Sequence, residues 1–245
     1  LGHTGRLNGE DIIDIVVKQP ATARFICRHL YNFFVADEPQ VPAWTIEPAN
    51  DEEALEAMIS SFVESGYEMK AVLRTIFSSD FFKNARFSKI KSPTEVVAGT
   101  LKLVGSFQLP EPGLVPVASQ PGYMGQSLLD PPSVEGWHTG PEWINSGSLL
   151  ARVNFVADRV SDPSLPGIKS IIGRMKAAAV STPDELLDAS LESMGYLELS
   201  LETREQLIGY SKTTGNLDWS DQAATETRVG EMLALIGATT EYQFG

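Results

Sequence analysis

Apolar side chains recur every third or fourth residue along most of this chain, and helix-start signals stand in front of several of those runs. This pairing constrains the fold most, because a 3.6-residue period stripes one helix face whereas a half-buried strand needs strict alternation. Ser92-Pro93-Thr94-Glu95 supplies a side-chain cap, a proline at the first helical position and a carboxylate at the third. Thr182-Pro183-Asp184-Glu185 and Ser200-Leu201-Glu202-Thr203 offer further start signals. Asn8-Gly9-Glu10-Asp11 and Asn50-Asp51-Glu52-Glu53 place acids in a first turn, where the helix dipole favours them. Together the runs predict a helical stretch through Ile12–Val16, then helices over Ala21–Val35, with Pro20 leading, about 51–66 and 69–77. A short helix starts at Ser79. Further ones follow over 93–105, 142–160, 167–178, 183–193, 201–212 and 222–236. Another short helix is expected from Tyr123 to Leu129. Residues 107–122, with Pro110, Pro112, Pro116 and Pro121, read as a loop, and Asp130–Gly140 as irregular chain.

No strand pair is visible. The expected class is therefore all-α: a multi-helix, bundle-like domain with irregular Pro/Gly-rich loops and a C-terminal helical subdomain. The texture changes after Ser161-Asp162-Pro163. That break divides the chain into a helical core, residues 1–162, and an acidic helical part, residues 163–245.

Charge narrows the partners. The 245 residues carry 19 Lys+Arg against 32 Asp+Glu, a formal net charge of −13. A nucleic-acid footprint needs a basic face to displace counterions, so nucleic acid is not an expected partner. Residues 181–245 hold 12 acids and 3 bases, a local net of −9, so most of the excess sits in the last quarter. Such helices are either a solvated face or a docking surface for a basic partner. No run approaches the ~18 apolar residues of a membrane span. No secretory leader is visible, and the start at Leu1 instead of methionine suggests a fragment or a processed product.

Few residues invite chemistry. Cys27 is the lone cysteine, flanked by Phe25, Ile26 and Leu30, and reads as a buried thiol. His3, His29 and His138 lie too far apart in sequence for a local chelate, so neither a metal nor a cofactor is expected. Nucleophile-elbow, phosphate-loop and dinucleotide patterns are absent. The most distinctive stretch runs from Asp130 to Ile144, where Trp137 and Trp143 flank a Gly/Pro-rich turn. Two readings stand side by side. The indoles pin an irregular loop to the core. Alternatively, exposed indole faces form a ligand platform with polar help from Glu135, His138 and Arg152. Arg152 is also a candidate partner for Glu95 or another buried carboxylate in a structural ion pair.

The motifs and their order resemble a family. Leu1-Gly2-His3-x-Gly5, Gly9-Glu10-Asp11-Ile12-Ile13 and Pro20-x-Thr22-Ala23-Arg24-Phe25-Ile26 form the first block. Lys91-Ser92-Pro93-x-Glu95 forms the middle. Met124-Gly125-Gln126-x-Leu128-x-x-Pro131-Pro132-Ser133-Val134-x-Gly136-Trp137-x-x-Gly140-x-x-Trp143-Ile144, then Leu149-Leu150-x-Arg152, forms the signature. The chain resembles the C-terminal half of the bacterial family called domain of unknown function 1800, well over residues 1–160 and loosely beyond. The resemblance implies a larger helical protein, a bacterial source, export, and a sulfatase-like companion from domain of unknown function 1501. It implies no reaction and no catalytic residues. The leading expectation is a non-catalytic binding or assembly protein acting with a partner. The alternatives are a hydrolase-type enzyme or a carbohydrate-binding protein with its site at the Trp137/Trp143 loop.

Overall fold

A computed structural model describes residues 1–107, 109–110 and 112–245. The described residues are all-α: helices and short 3-10 turns account for the regular structure, and β pairing is limited to two isolated bridges. None of these helices is long and apolar enough to cross a membrane. The chain forms two compact units, Leu1–Lys89 and Ile90–Gly245. Residue 162 falls inside the second.

The first unit contains α1 (Gly9–Val17), α2 (Pro20–Phe34), α3 (Glu52–Glu64), α4 (Met69–Ser78) and α5 (Asp80–Asn84). Helices α2, α3 and α4 pack together around Cys27, Leu55, Met58, Phe62, Val72 and Ile76, all buried. The stripe legible at Leu55, Met58, Ile59 and Phe62 is this inward face. Helix α1 carries an Asn8/Asp11 capping box but buries none of its residues, leaving Ile12, Ile13 and Val16 exposed.

Between α2 and α3 the chain is held by one buried ion pair. The Nε of Arg28 donates to Glu38 at 2.7 Å, and the two side chains are 2% and 0% exposed. Nη1 and Nη2 donate to the carbonyls of Glu47 (3.0 Å) and Pro48 (2.8 Å). The other Glu38 oxygen accepts from the Asn50 amide at 2.9 Å, and the guanidinium lies 4.7 Å from the centre of the Trp44 ring. Every donor nitrogen of Arg28 is thus used, which is how a buried guanidinium becomes tolerable.

The second unit contains α6 (Pro93–Val104), α7 (Leu114–Ala118), α8 (Gln120–Tyr123), α9 (Ser146–Val160), α10 (Pro166–Ala177), α11 (Pro183–Ser193), α12 (Leu201–Thr213) and α13 (Gln222–Gly237). Helix α9 lies at its centre, packed against α6 and α13. Its buried face repeats every fourth residue as Ser148, Arg152, Val156 and Val160. Helix α13 comes close because a side chain is missing at Gly237: a Cβ there would lie 2.5 Å from Val156 Cγ1. The unit's two ends are joined. The Lys91 amide donates to the Gln243 carbonyl at 2.8 Å, and Ile90 forms an antiparallel bridge with Phe244.

Two elements differ from expectation. The helix expected over Tyr123–Leu129 is absent, and helical turns lie earlier, at α7 and α8, inside the stretch read as a loop. Pro121 sits in the first turn of α8, where its missing N–H costs nothing. Positive φ at Gly125 (101°) and Leu129 (64°) then forbids helix beyond Tyr123. Helix α9 begins at Ser146 and not near 142. Asn145 caps it by accepting from the Gly147 and Ser148 amides, and Gly140–Trp143 is a separate 3-10 turn.

Candidate functional site

The segment that precedes α9 is built from turns. Gln126 accepts from the Thr94 amide (2.9 Å) and the Thr94 hydroxyl (2.7 Å), fastening the segment to the first turn of α6. Met124, 1% exposed, anchors it from below. Ser133 and Gly136 close a tight turn: the Gly136 amide donates to the Ser133 carbonyl at 3.1 Å, and the Glu135 amide donates to the Ser133 hydroxyl at 3.2 Å. Gly136 adopts φ 97°, a region that suits glycine.

The five candidate residues separate into three environments. Trp143 is buried, 6% exposed, and its carbonyl accepts from the Ser148 hydroxyl at 2.7 Å. It therefore acts as the pin of the loop-packing reading and offers no open platform. Trp137 is half-buried, and its indole N–H donates to the Ser127 carbonyl at 3.1 Å. Glu135 and His138 are exposed. The Nδ1 of His138 pairs with Glu142 across one turn, on the solvent side of the segment.

Arg152 points the other way. It is wholly buried, and Nη1 donates to the Lys91 carbonyl at 2.7 Å. It forms no ion pair with Glu95, against the sequence expectation, because Glu95 is exposed and closes the α6 capping box on the Ser92 amide. Burial pushes the guanidinium down to about 10, with Glu95 opposing from a distance. Lys91 is likewise pushed down to about 8 by burial. Its Nζ donates to the Tyr242 carbonyl at 2.8 Å and lies 4.3 Å from the centre of that ring.

Three pockets among the described residues lie elsewhere. One in the second unit runs between α8 and α9, lined by Gln120, Tyr123, Asn154 and Asp158. Another lies beside α10 and α11, with Arg174, Glu192 and Tyr196. A third, in the first unit, is lined by Tyr31, Asp51, Asp80 and Phe81. None of these three contains a candidate residue. Among the described residues no group of three His, Cys, Asp or Glu side chains is placed to hold a metal. Cys27 is buried and its thiol pushed up to about 11, the state of an unreactive cysteine. His29 lies between Phe25, met edge to face, and the tilted Trp44 ring, with ring centres 4.4 and 4.6 Å away.

Sequence reasoning missed Gln243 as a buried polar residue and Lys91 as a half-buried one. Lys91 belonged to a recognised motif, and its apolar setting comes from the C-terminal turn 152 residues away, which no local pattern reveals.

Fold and site together define an all-α protein whose most distinctive loop is anchored by one tryptophan and exposes its other polar groups. The chain belongs to the family described as "Protein of unknown function (DUF1800)", and the match spans residues 1–244. It covers essentially the whole chain, so the loose similarity expected beyond residue 160 gives way to continuous membership. No curated protein and no solved structure gives a significant match.

Proposed function

We propose that this chain is a non-catalytic binding or assembly protein that acts with a protein partner. One observation carries the reading: the family-motif segment directs large apolar side chains into solvent. In that segment Leu129 is 97% exposed and Val134 fully exposed, and Val115, ahead of it on α7, is 79% exposed. Tyr123, Leu128 and Leu150 nearby are exposed as well. Leu129 is held outward by left-handed backbone, a conformation disfavoured for leucine. Concentrated apolar exposure on a fixed loop is the usual mark of a protein-docking surface.

The acidic C-terminal helices support the reading less. Glu185 and Asp221 cap their own helices, Glu241 accepts from Ser200 and Thr203, and Asp188 pairs with Arg204. Much of the negative charge is therefore committed locally. The partner suggested by the family resemblance is an exported, sulfatase-like companion. Co-purification with such a companion tests the idea, using the wild type and a Leu129→Ser/Val134→Ser double variant. The expected result is a complex with the wild type, lost in the variant, while the variant's melting temperature stays within about 1 °C, since exposed sites contribute little stability. No complex, or equal capture of both proteins, refutes it.

Carbohydrate binding is the second reading, favoured by the half-buried Trp137 indole beside the exposed His138–Glu142 pair. Polysaccharide titration followed by tryptophan fluorescence separates the two. A saturable change lost in Trp137→Ala supports the sugar, and a flat response eliminates it. The hydrolase alternative requires an acid or base lining a cleft, and nothing in the site's geometry favours it over these two.

A further inference from the structure

Four buried side-chain atoms lack a hydrogen-bond partner among the described residues. Three of them belong to two residues that bond to one segment of main chain. They are Nε and Nη2 of Arg152 and Oε1 of Gln243, and both of these residues bond to the main chain of Lys91. Arg152 donates to its carbonyl and Gln243 accepts from its amide.

The pattern is not that of a structural arginine. Arg28 shows what such a residue needs: a carboxylate on one edge and carbonyls for the rest. Arg152 has one carbonyl. Nε and Nη2 form one edge of the guanidinium, the edge that presents two parallel N–H groups to the two oxygens of a carboxylate or phosphate. A wholly buried cation with that edge unsatisfied is expensive, and the cost is relieved only by an acceptor. A second cation, the Lys91 ammonium, stands in the same part of the unit, and neither has a carboxylate within ion-pair distance among the described residues.

We propose that Arg152 and Lys91 form a binding site for a small oxyanion, carboxylate or phosphate, received on the Nε/Nη2 edge of Arg152. Gln243 Oε1 would accept from a hydroxyl or protonated oxygen of the same ligand. The site lies between the start of α6, the middle of α9 and the turn at Glu241–Gln243. It owes nothing to the Trp137 loop or to the docking surface, so its success or failure leaves that reading untouched.

The test is titration calorimetry and thermal melting of the full chain with inorganic phosphate, acetate and sulfate, at ionic strength matched with chloride. The expected result is saturable binding with a Kd below about 1 mM for at least one oxyanion. At ten times that Kd the melting temperature should rise by roughly 3–5 °C. Phosphate and acetate arms distinguish the two ligand sources. Arg152→Met should abolish the effect. If that variant fails to fold, Arg152→Lys keeps the charge but loses the two-nitrogen edge, and should weaken binding at least tenfold. Lys91→Met should weaken it less. Either of two solution results overturns the proposal: no oxyanion effect beyond the chloride control, or an effect undiminished in both Arg152→Lys and Lys91→Met. An ordered water joining Arg152 to Gln243 in a crystal grown with phosphate would also overturn it.

Discussion

Replacing Arg28 by Met is expected to destabilise the first unit severely. The substitution keeps most of the stem volume and deletes the cation. Glu38, 0% exposed, then keeps only the Asn50 amide, and the carbonyls of Glu47 and Pro48 lose their donors. Breaking a buried pair by removing one partner costs about 3–5 kcal/mol. The two carbonyls belong to a loop that can relax toward water, so the lower half of that range, about 3 kcal/mol, is expected. The measurement is equilibrium unfolding in guanidinium chloride, followed by tryptophan fluorescence, since Trp44 lies over the guanidinium. A double-mutant cycle with Glu38→Gln isolates the charge. Glu38→Gln alone leaves Arg28 buried against a neutral amide. The double variant should cost less than the sum of the singles by at least about 1.5 kcal/mol, well above the ~0.5 kcal/mol expected of independent sites. A loss under about 1 kcal/mol for Arg28→Met, or additivity in the cycle, would refute the view that this pair holds the 36–50 segment in place.

Two further outcomes follow from the second unit. Gly237→Ala drives a Cβ to 2.5 Å from Val156 Cγ1 on α9, and overpacking of this kind should cost about 1–3 kcal/mol, read as a lower melting temperature. Lys91 titrates near 8 in the folded chain against an ordinary value of 10.5, so the unfolded state binds more protons between those values and stability rises with pH across them. The rise is at most about 3 kcal/mol, and partial exposure of the side chain reduces it. Cys27 and Tyr31, both pushed up by burial, oppose it at high pH. The measurement is therefore the difference between wild type and Lys91→Met at pH 7.5 and 9.5. A difference that does not change with pH contradicts the assignment.

The helical architecture was legible because its signals are local. Ser92 and Thr182 cap their helices with the residues that follow them, Pro20, Pro93 and Pro183 open helices, and the Leu55–Phe62 stripe faces the core. The proline-rich stretch misled because a proline that breaks a helix interior also starts one, and only tertiary anchoring decides between them. At the loop, the two tryptophans were equivalent in sequence. Burial separates them: Trp143 precedes the α9 cap and is drawn into the core, while Trp137 stays at the rim. The partnership of Arg28 with Glu38 and the isolation of Arg152 were illegible for one reason. Whether a cation finds a carboxylate depends on chain packing across loops or across the whole unit, and each arginine is one of two on an amphipathic helix, with nothing local to tell them apart.

The join at Lys91 also bears on the order of folding. Its Nζ and Tyr242 are separated by 151 positions. Closing a loop of that length costs about 4 kcal/mol of chain entropy before any contact offsets it. During synthesis the first unit has all its residues once Lys89 has left the ribosome. The second cannot complete its seam until the last turn has followed, so the half-buried Lys91 and the buried Arg152 of α9 must wait facing an unfinished wall. The interval between those events is when this chain is most exposed to misassembly.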